Sequence, residues 1–219
     1  MKKILLFIVT VSISLNTIGQ GTTYTAQSGI GNWNSASSWS PNAIPTSNDN
    51  IVVPTGSKIK VNVANVTTDY FVISGGTLEV NNAIIVTGGS DSSTTNGGDI
   101  QLKASMTING SNLSIGADSD ITLNAGMQLI LASASSDITN NGNITLNSSS
   151  SLFSSLILKG DYDNNSTGSV SYSRYVSAVG SDWDLIGSPV VGETSDDIIA
   201  ILNFSGVPEN ISDYLKIKN

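Results

Sequence analysis

Lys58–Asn62 reads KIKVN, and its pattern returns as TLEVN at 77–81, DIQLK at 99–103, DITLN at 120–124 and NITLN at 143–147. The leading apolar positions are Ile59, Leu78, Ile100, Ile121 and Ile144, at intervals of 19 to 23 residues, and a weaker sixth copy, SVSYS, contains Val170 and Tyr172. Apolar and polar side chains alternate within each phrase, as in a strand with one buried face. Ile59 and Val61 point one way and Lys60 the other; Glu79, Gln101, Thr122 and Thr145 take the place of Lys60 in later copies. A second apolar position follows at Ile84, Met106 and Met127, and a glycine precedes each phrase: Gly56, Gly76, Gly98, Gly116, Gly142 and Gly168.

A repeat of this size, holding two or three short strands, corresponds to one coil of a parallel β-solenoid. A single coil exposes both of its edges, so only stacking pairs the backbone and buries the apolar face. The expected fold is therefore all-β, a right-handed parallel β-helix of about five to six coils over residues 56–172. A β-sandwich also has many short strands with turn signals, but it does not predict one phrase at near-constant spacing. Parallel stacking sets equivalent residues about 4.8 Å apart. Lys60 and Glu79 should then be outer-face neighbours, Asn62 should stack on Asn81 and Asn124 on Asn147 at a corner, and Lys103 should interrupt that row.

Before the repeats, residues 20–55 carry Trp33, Trp39, Pro41 and Pro45 ahead of the strand Ile51–Val53. An open solenoid end needs a cap, and two tryptophans can supply one. The rival role for Trp33 and Trp39 is a platform for stacking sugar rings. After the repeats, residues 173–219 change texture. Ser195, Asp196 and Asp197 precede Ile198, Ile199, Ile201 and Leu202, which suits the start of a short helix. The chain stops at LKIKN without an evident closing strand, so this segment is expected to be truncated.

The first residues place Lys2 and Lys3 ahead of an apolar run from Ile4 to about Val11, then turn polar toward Gly19, as a secretory signal peptide over residues 1–19 does. Thr10, Ser12 and Ser14 break the run too early for a membrane span. Export is expected, to the medium or the outer surface of a bacterial cell. With no cysteine in the sequence, disulfides and lipoprotein attachment are unavailable. Only 12% of residues are charged and the formal net charge is −8, which disfavours nucleic acid and anionic membranes as partners.

The stretch GNWNSASSWSPNAIPTSNDNIVVPTGSKIKVN at 31–62, together with RYVSAVGSDWDLIGSPVVG at 174–192, resembles exported surface proteins of flavobacterial type that carry β-helical repeats. Such proteins usually end in a β-sandwich sorting domain read by the type IX secretion system, and this sequence departs from them by lacking it. The resemblance implies a surface or secreted location and an adhesive role, and transfers no catalytic residues.

The reactive inventory is sparse. There is no histidine and no cysteine, which removes the usual base of serine hydrolases, thiol catalysis and the common zinc ligands. Carboxylate chemistry is the remaining enzymatic route, with Asp161 and Asp163, Asp118 and Asp120, or Asp182 and Asp184 as alternating pairs. DYDNNSTG offers Asp161, Asp163 and Asn165 as oxygen ligands for calcium at a turn, but Ser166 and Tyr172 stand where a helical calcium loop needs glycine and glutamate. Thr122 and Thr145 form too short and mixed a row for an ice-binding face. The expected function is a non-enzymatic, adhesin-like scaffold with an extracellular glycan or surface ligand as partner, no required cofactor, and self-association through an exposed solenoid end. The alternative is a carbohydrate-binding module or remnant of a carbohydrate-active enzyme.

Overall fold

The computed structural model describes residues 21–88, 92–164 and 167–173. The expected signal peptide, Asn165, the pair Asp182 and Asp184, and the expected C-terminal helix lie outside the described residues.

Short strands stack in parallel into a β-solenoid of about six turns, with three sheets running along its length. Seven parallel strands from Thr23–Ala26 to Tyr162–Asn164 form the first sheet, with Trp39–Ser40 added antiparallel at its edge. The second sheet has seven strands, from Gly29–Asn32 to Ser169–Ser173, and the third has five, from Val66–Thr68 to Ser155–Leu158.

The repeated phrases are the second sheet. Ile59, Leu78, Ile100, Ile121, Ile144 and Val170 are direct partners in successive coils, and the first five are at most 1% exposed. Burying each such side chain stabilises by about 1.5–3 kcal/mol, and stacking makes one continuous core of these columns. The third sheet supplies Val66, Ile84, Met106 and Leu129 to the same core. Leu129, not Met127, holds the register position expected of Met127. The turn Asn124–Met127, closed by the Met127 N–H to the Asn124 carbonyl at 3.0 Å, delays the strand by two residues.

The corner between the first and second sheets explains the upstream glycines. Gly29 pairs with Ser57, and continuing the register places Gly76, Gly98, Ser119, Gly142 and Gly168 in the same column. A Cβ at Gly76 would lie 2.5 Å from the Pro54 carbonyl oxygen, and one at Gly98 would lie 2.9 Å from that of Gly76. The column thus requires a very small residue. Gly56 and Gly116 stand outside it, and serine fills the position in their coils.

The solenoid begins one coil earlier than the phrases indicate. Within residues 20–55, Thr23–Ala26 stacks on Asn50–Pro54, and Gly29–Asn32 stacks on Ser57–Val61. Trp33 and Trp39 close this coil at 2% and 1% exposure. Asp49 fastens its loop: Oδ1 accepts the Thr22 N–H at 2.8 Å, and Oδ2 accepts the Thr46 N–H and hydroxyl, each at 2.7 Å. Burial pushes this carboxyl upward, but those three hydrogen bonds outweigh it and hold the pKa below the ordinary carboxylate value.

Candidate functional site

Two surface features stand out, the outer face of the second sheet and a groove beside the first strand of the third.

On the sheet face, Lys60, Glu79, Gln101, Thr122, Thr145 and Ser171 form one outward column. Lys60 is the register partner of Glu79, as the repeat predicts. The Glu79 carboxylate, however, pairs with Lys58 at 2.5 Å and with Lys103 at 3.2 Å, and accepts the Asn81 amide at 2.9 Å. Asn81 is thereby drawn away from Asn62, whose amide donates to Asn34 at 2.9 Å in the preceding coil. The corner asparagine contact thus joins Asn62 to Asn34 instead of to Asn81, and Lys103 turns to Glu79.

Glu79 is only 6% exposed. The Lys58 contact, opposed by burial and helped by Asn81 and Lys103, pulls its pKa from 4.5 to about 2. The native state therefore favours the ionised carboxyl. Its contribution, on the order of 3 kcal/mol, is complete above the unfolded value and is lost as pH falls through the folded one. Glu79→Gln should lower the urea midpoint at neutral pH, and the two proteins should converge as pH drops from 4.5 toward about 2. A constant difference over that range would contradict the assignment.

Beside Glu79 runs a second column, Asp99, Asp120, Asn143 and Ser169. Burial first, and the Asp120 charge second, raise the Asp99 pKa. Asn143 relieves Asp120 by donating to it at 2.9 Å, and Ser169 donates to Asn143 at 2.8 Å. Asp120 is thus a rung of a polar ladder. Its expected partner, Asp118, sits on a turn at φ 58°.

The groove, of about 250 Å³, is lined by uncharged residues including Trp33, Asn34, Ile44, Pro45, Asn65 and Thr67. It occupies the place where, among the described residues, the third sheet lacks a strand, since its first described strand comes one coil after those of the other two sheets. Asp69 N–H bonds back to the Asp49 carbonyl, while the Thr68 carbonyl accepts Thr87 N–H from the next coil, both at 2.9 Å. Backbone groups of successive residues in a parallel strand face opposite sides. Thr67 therefore turns its N–H and C=O toward the groove.

The expected sugar-stacking platform does not form, because Trp33 and Trp39 are buried in the core and packed edge to face. Their ring centres are 5.3 Å apart at 76°, Tyr24 stands edge-on to Trp39 at 6.5 Å, and Trp39 Nε1 donates to the Trp33 carbonyl at 2.9 Å. Trp33 meets the groove with only its small exposed remainder. Asp161 and Asp163 are exposed, on the last described coil of the first sheet. The Asp161 N–H donates to Asp137 at 2.8 Å, and the Asp137 N–H to Asn112 at 2.9 Å, a corner ladder joining three coils. Among the described residues no group of three acidic, histidine or cysteine residues is gathered for a metal ion. Sequence reading missed Asp49, Glu79 as a buried hub, and the groove; only the clustering of Lys58, Lys60 and Lys103 around Glu79 in the repeat register signalled any of these.

A solenoid with ladders of amide, hydroxyl and carboxylate groups along its flanks defines the class, an all-β parallel β-helical module. Residues 38–190 match the G8 domain, and the chain belongs to the G8 domain family. No curated protein and no solved structure matches the sequence. No helix among the described residues is long and apolar enough to cross a membrane.

Proposed function

We propose that this protein is a non-enzymatic, adhesin-like scaffold of the bacterial surface or medium, related to the type IX cargo proteins that its sequence resembles. The observation that carries this reading is the outward column from Gln101 through Thr122 and Thr145 to Ser171, a run of uncharged hydrogen-bonding groups in register along the second sheet. Such a surface suits contact with a hydroxyl-rich partner without any step of bond chemistry. The test is binding of the purified full-length protein to immobilised glycans and intact cells, alongside assays for polysaccharide turnover. Thr122→Lys with Thr145→Lys should weaken binding about tenfold or more, a loss of about 1.4 kcal/mol. Turnover that disappears with Asp161→Ala or Asp163→Ala would overturn the reading.

The groove favours a second reading, a carbohydrate-binding module. Its uncharged lining with Asn34, Asn65 and the Thr67 backbone groups can hydrogen-bond a sugar without an exposed aromatic face. Glycan binding lost with Asn65→Ala but retained with Thr122→Lys would place the ligand there.

A further inference from the structure

The described residues include three Asn-Gly steps, Asn96-Gly97, Asn109-Gly110 and Asn141-Gly142. At such a step the glycine amide nitrogen can attack the asparagine Cγ, because glycine offers no substituent to block the approach. The new C–N bond closes a five-membered succinimide as the Cγ–Nδ2 bond breaks, and ammonia leaves with the proton from the amide nitrogen. Water then opens the ring to aspartate or isoaspartate. The fold treats the three steps very differently.

At Asn141-Gly142 the nitrogen is engaged, since the Gly142 N–H donates to Asn140 Oδ1 at 3.1 Å. Gly142 is also wedged between coils: a Cβ there would sit 2.4 Å from the Ser119 carbonyl oxygen. At Asn109-Gly110 the asparagine is exposed, but Gly110 is pressed on the preceding coil, where a Cβ would sit 2.5 Å from the Gly88 carbonyl oxygen. Asn96-Gly97 is open. Both residues are exposed, Gly97 has φ 64°, and nothing lies within 4 Å of a Cβ built on it.

We infer that Asn96 is the deamidation site of this protein, the place where the folded molecule acquires aspartate and isoaspartate. The change would act on the stack as well as on charge. The Asn96 carbonyl accepts the Gly75 N–H of the preceding coil at 3.1 Å, and Thr94 to Asn96 pair with Val72 to Ser74. An isoaspartyl linkage routes the backbone through Cβ and Cγ of the residue, lengthening it at the end of that pairing. Either product adds a negative charge at a corner already close in sequence to Asp99.

The experiment incubates the folded full-length protein at mildly alkaline pH and follows each Asn-Gly peptide by mass spectrometry, with an isoaspartate-specific methyl-transfer label. Conversion at Asn96 should run several-fold faster than at Asn109 and faster still than at Asn141. In strong urea the three rates should draw together, because the ranking belongs to the fold. Asn96→Gln should remove the leading signal without altering the other two. Equal rates in the folded protein, a faster site at Asn109 or Asn141, or the same ranking in urea would each overturn the inference.

Discussion

Trp39→Ala is expected to destabilise the solenoid by about 3–5 kcal/mol, the cost of removing a large buried aromatic and leaving a cavity. Three losses combine. The ring gives up its edge contacts with Trp33 and Tyr24, and the Trp33 carbonyl loses the Nε1–H donor at 2.9 Å. The short antiparallel pairing of Ala26 with Trp39 also loses the anchor that holds it on the first coil. Stability in a stacked array is nearly a sum over neighbouring coils, so the damage should be local at first. Hydrogen exchange should show Thr23–Ala26 and Gly29–Asn32 losing protection before Ile100 or Ile121 does. Trp39→Phe should cost less, about 1–3 kcal/mol, because it keeps a ring and strands one carbonyl. A Trp39→Ala protein with wild-type urea midpoint and protection would show that the aromatic cluster does not close the stack.

The same residues show what the sequence made legible. Ile59, Leu78, Ile100, Ile121 and Ile144 announced the second sheet because a period-two phrase at coil spacing has no economical alternative to parallel stacking. The first and third sheets were harder to read. Their inward positions admit Ser93, Thr95, Thr68 and Asn140, buried polar groups that break the apolar pattern. Some of these are satisfied across coils: Thr68 donates to the Asp49 carbonyl at 2.7 Å, and Asn140 donates to the Ser169 carbonyl at 3.1 Å. Such partners are 19 and 29 residues away, and no local pattern announces them. The earliest coil was hidden for a related reason. Its second-sheet strand reads GIGN, with Ile30 72% exposed, so it lacks the phrase that marks the later coils. Trp33 and Trp39 were ambiguous because the type of an aromatic residue does not reveal whether its face is used inside or outside.

Gly142→Val should be strongly damaging, with a loss of about 3 kcal/mol or more from overpacking and backbone displacement. The atoms it would meet are backbone: the Ser119 carbonyl oxygen at 2.4 Å and the Gly116 carbonyl oxygen at 2.6 Å from a Cβ. Neither can rotate aside as a flexible side group would. The Ser119 carbonyl is committed to the Asn143 N–H at 2.9 Å, and the Gly142 carbonyl to the Ser169 N–H at 2.8 Å. Making room means parting two coils along a ladder whose spacing hydrogen bonding fixes near 4.8 Å. The strands Asn143–Asn147 and Ser169–Ser173 should then lose exchange protection while Lys58 to Val80 keeps it. Gly29→Ala supplies the contrast, since its φ of 94° brings backbone strain but nothing lies within 4 Å of the added carbon. It should cost only about 1–2 kcal/mol. Equal urea midpoints for the two variants would mean that conformational freedom, not the closeness of neighbouring coils, selects glycine at this corner.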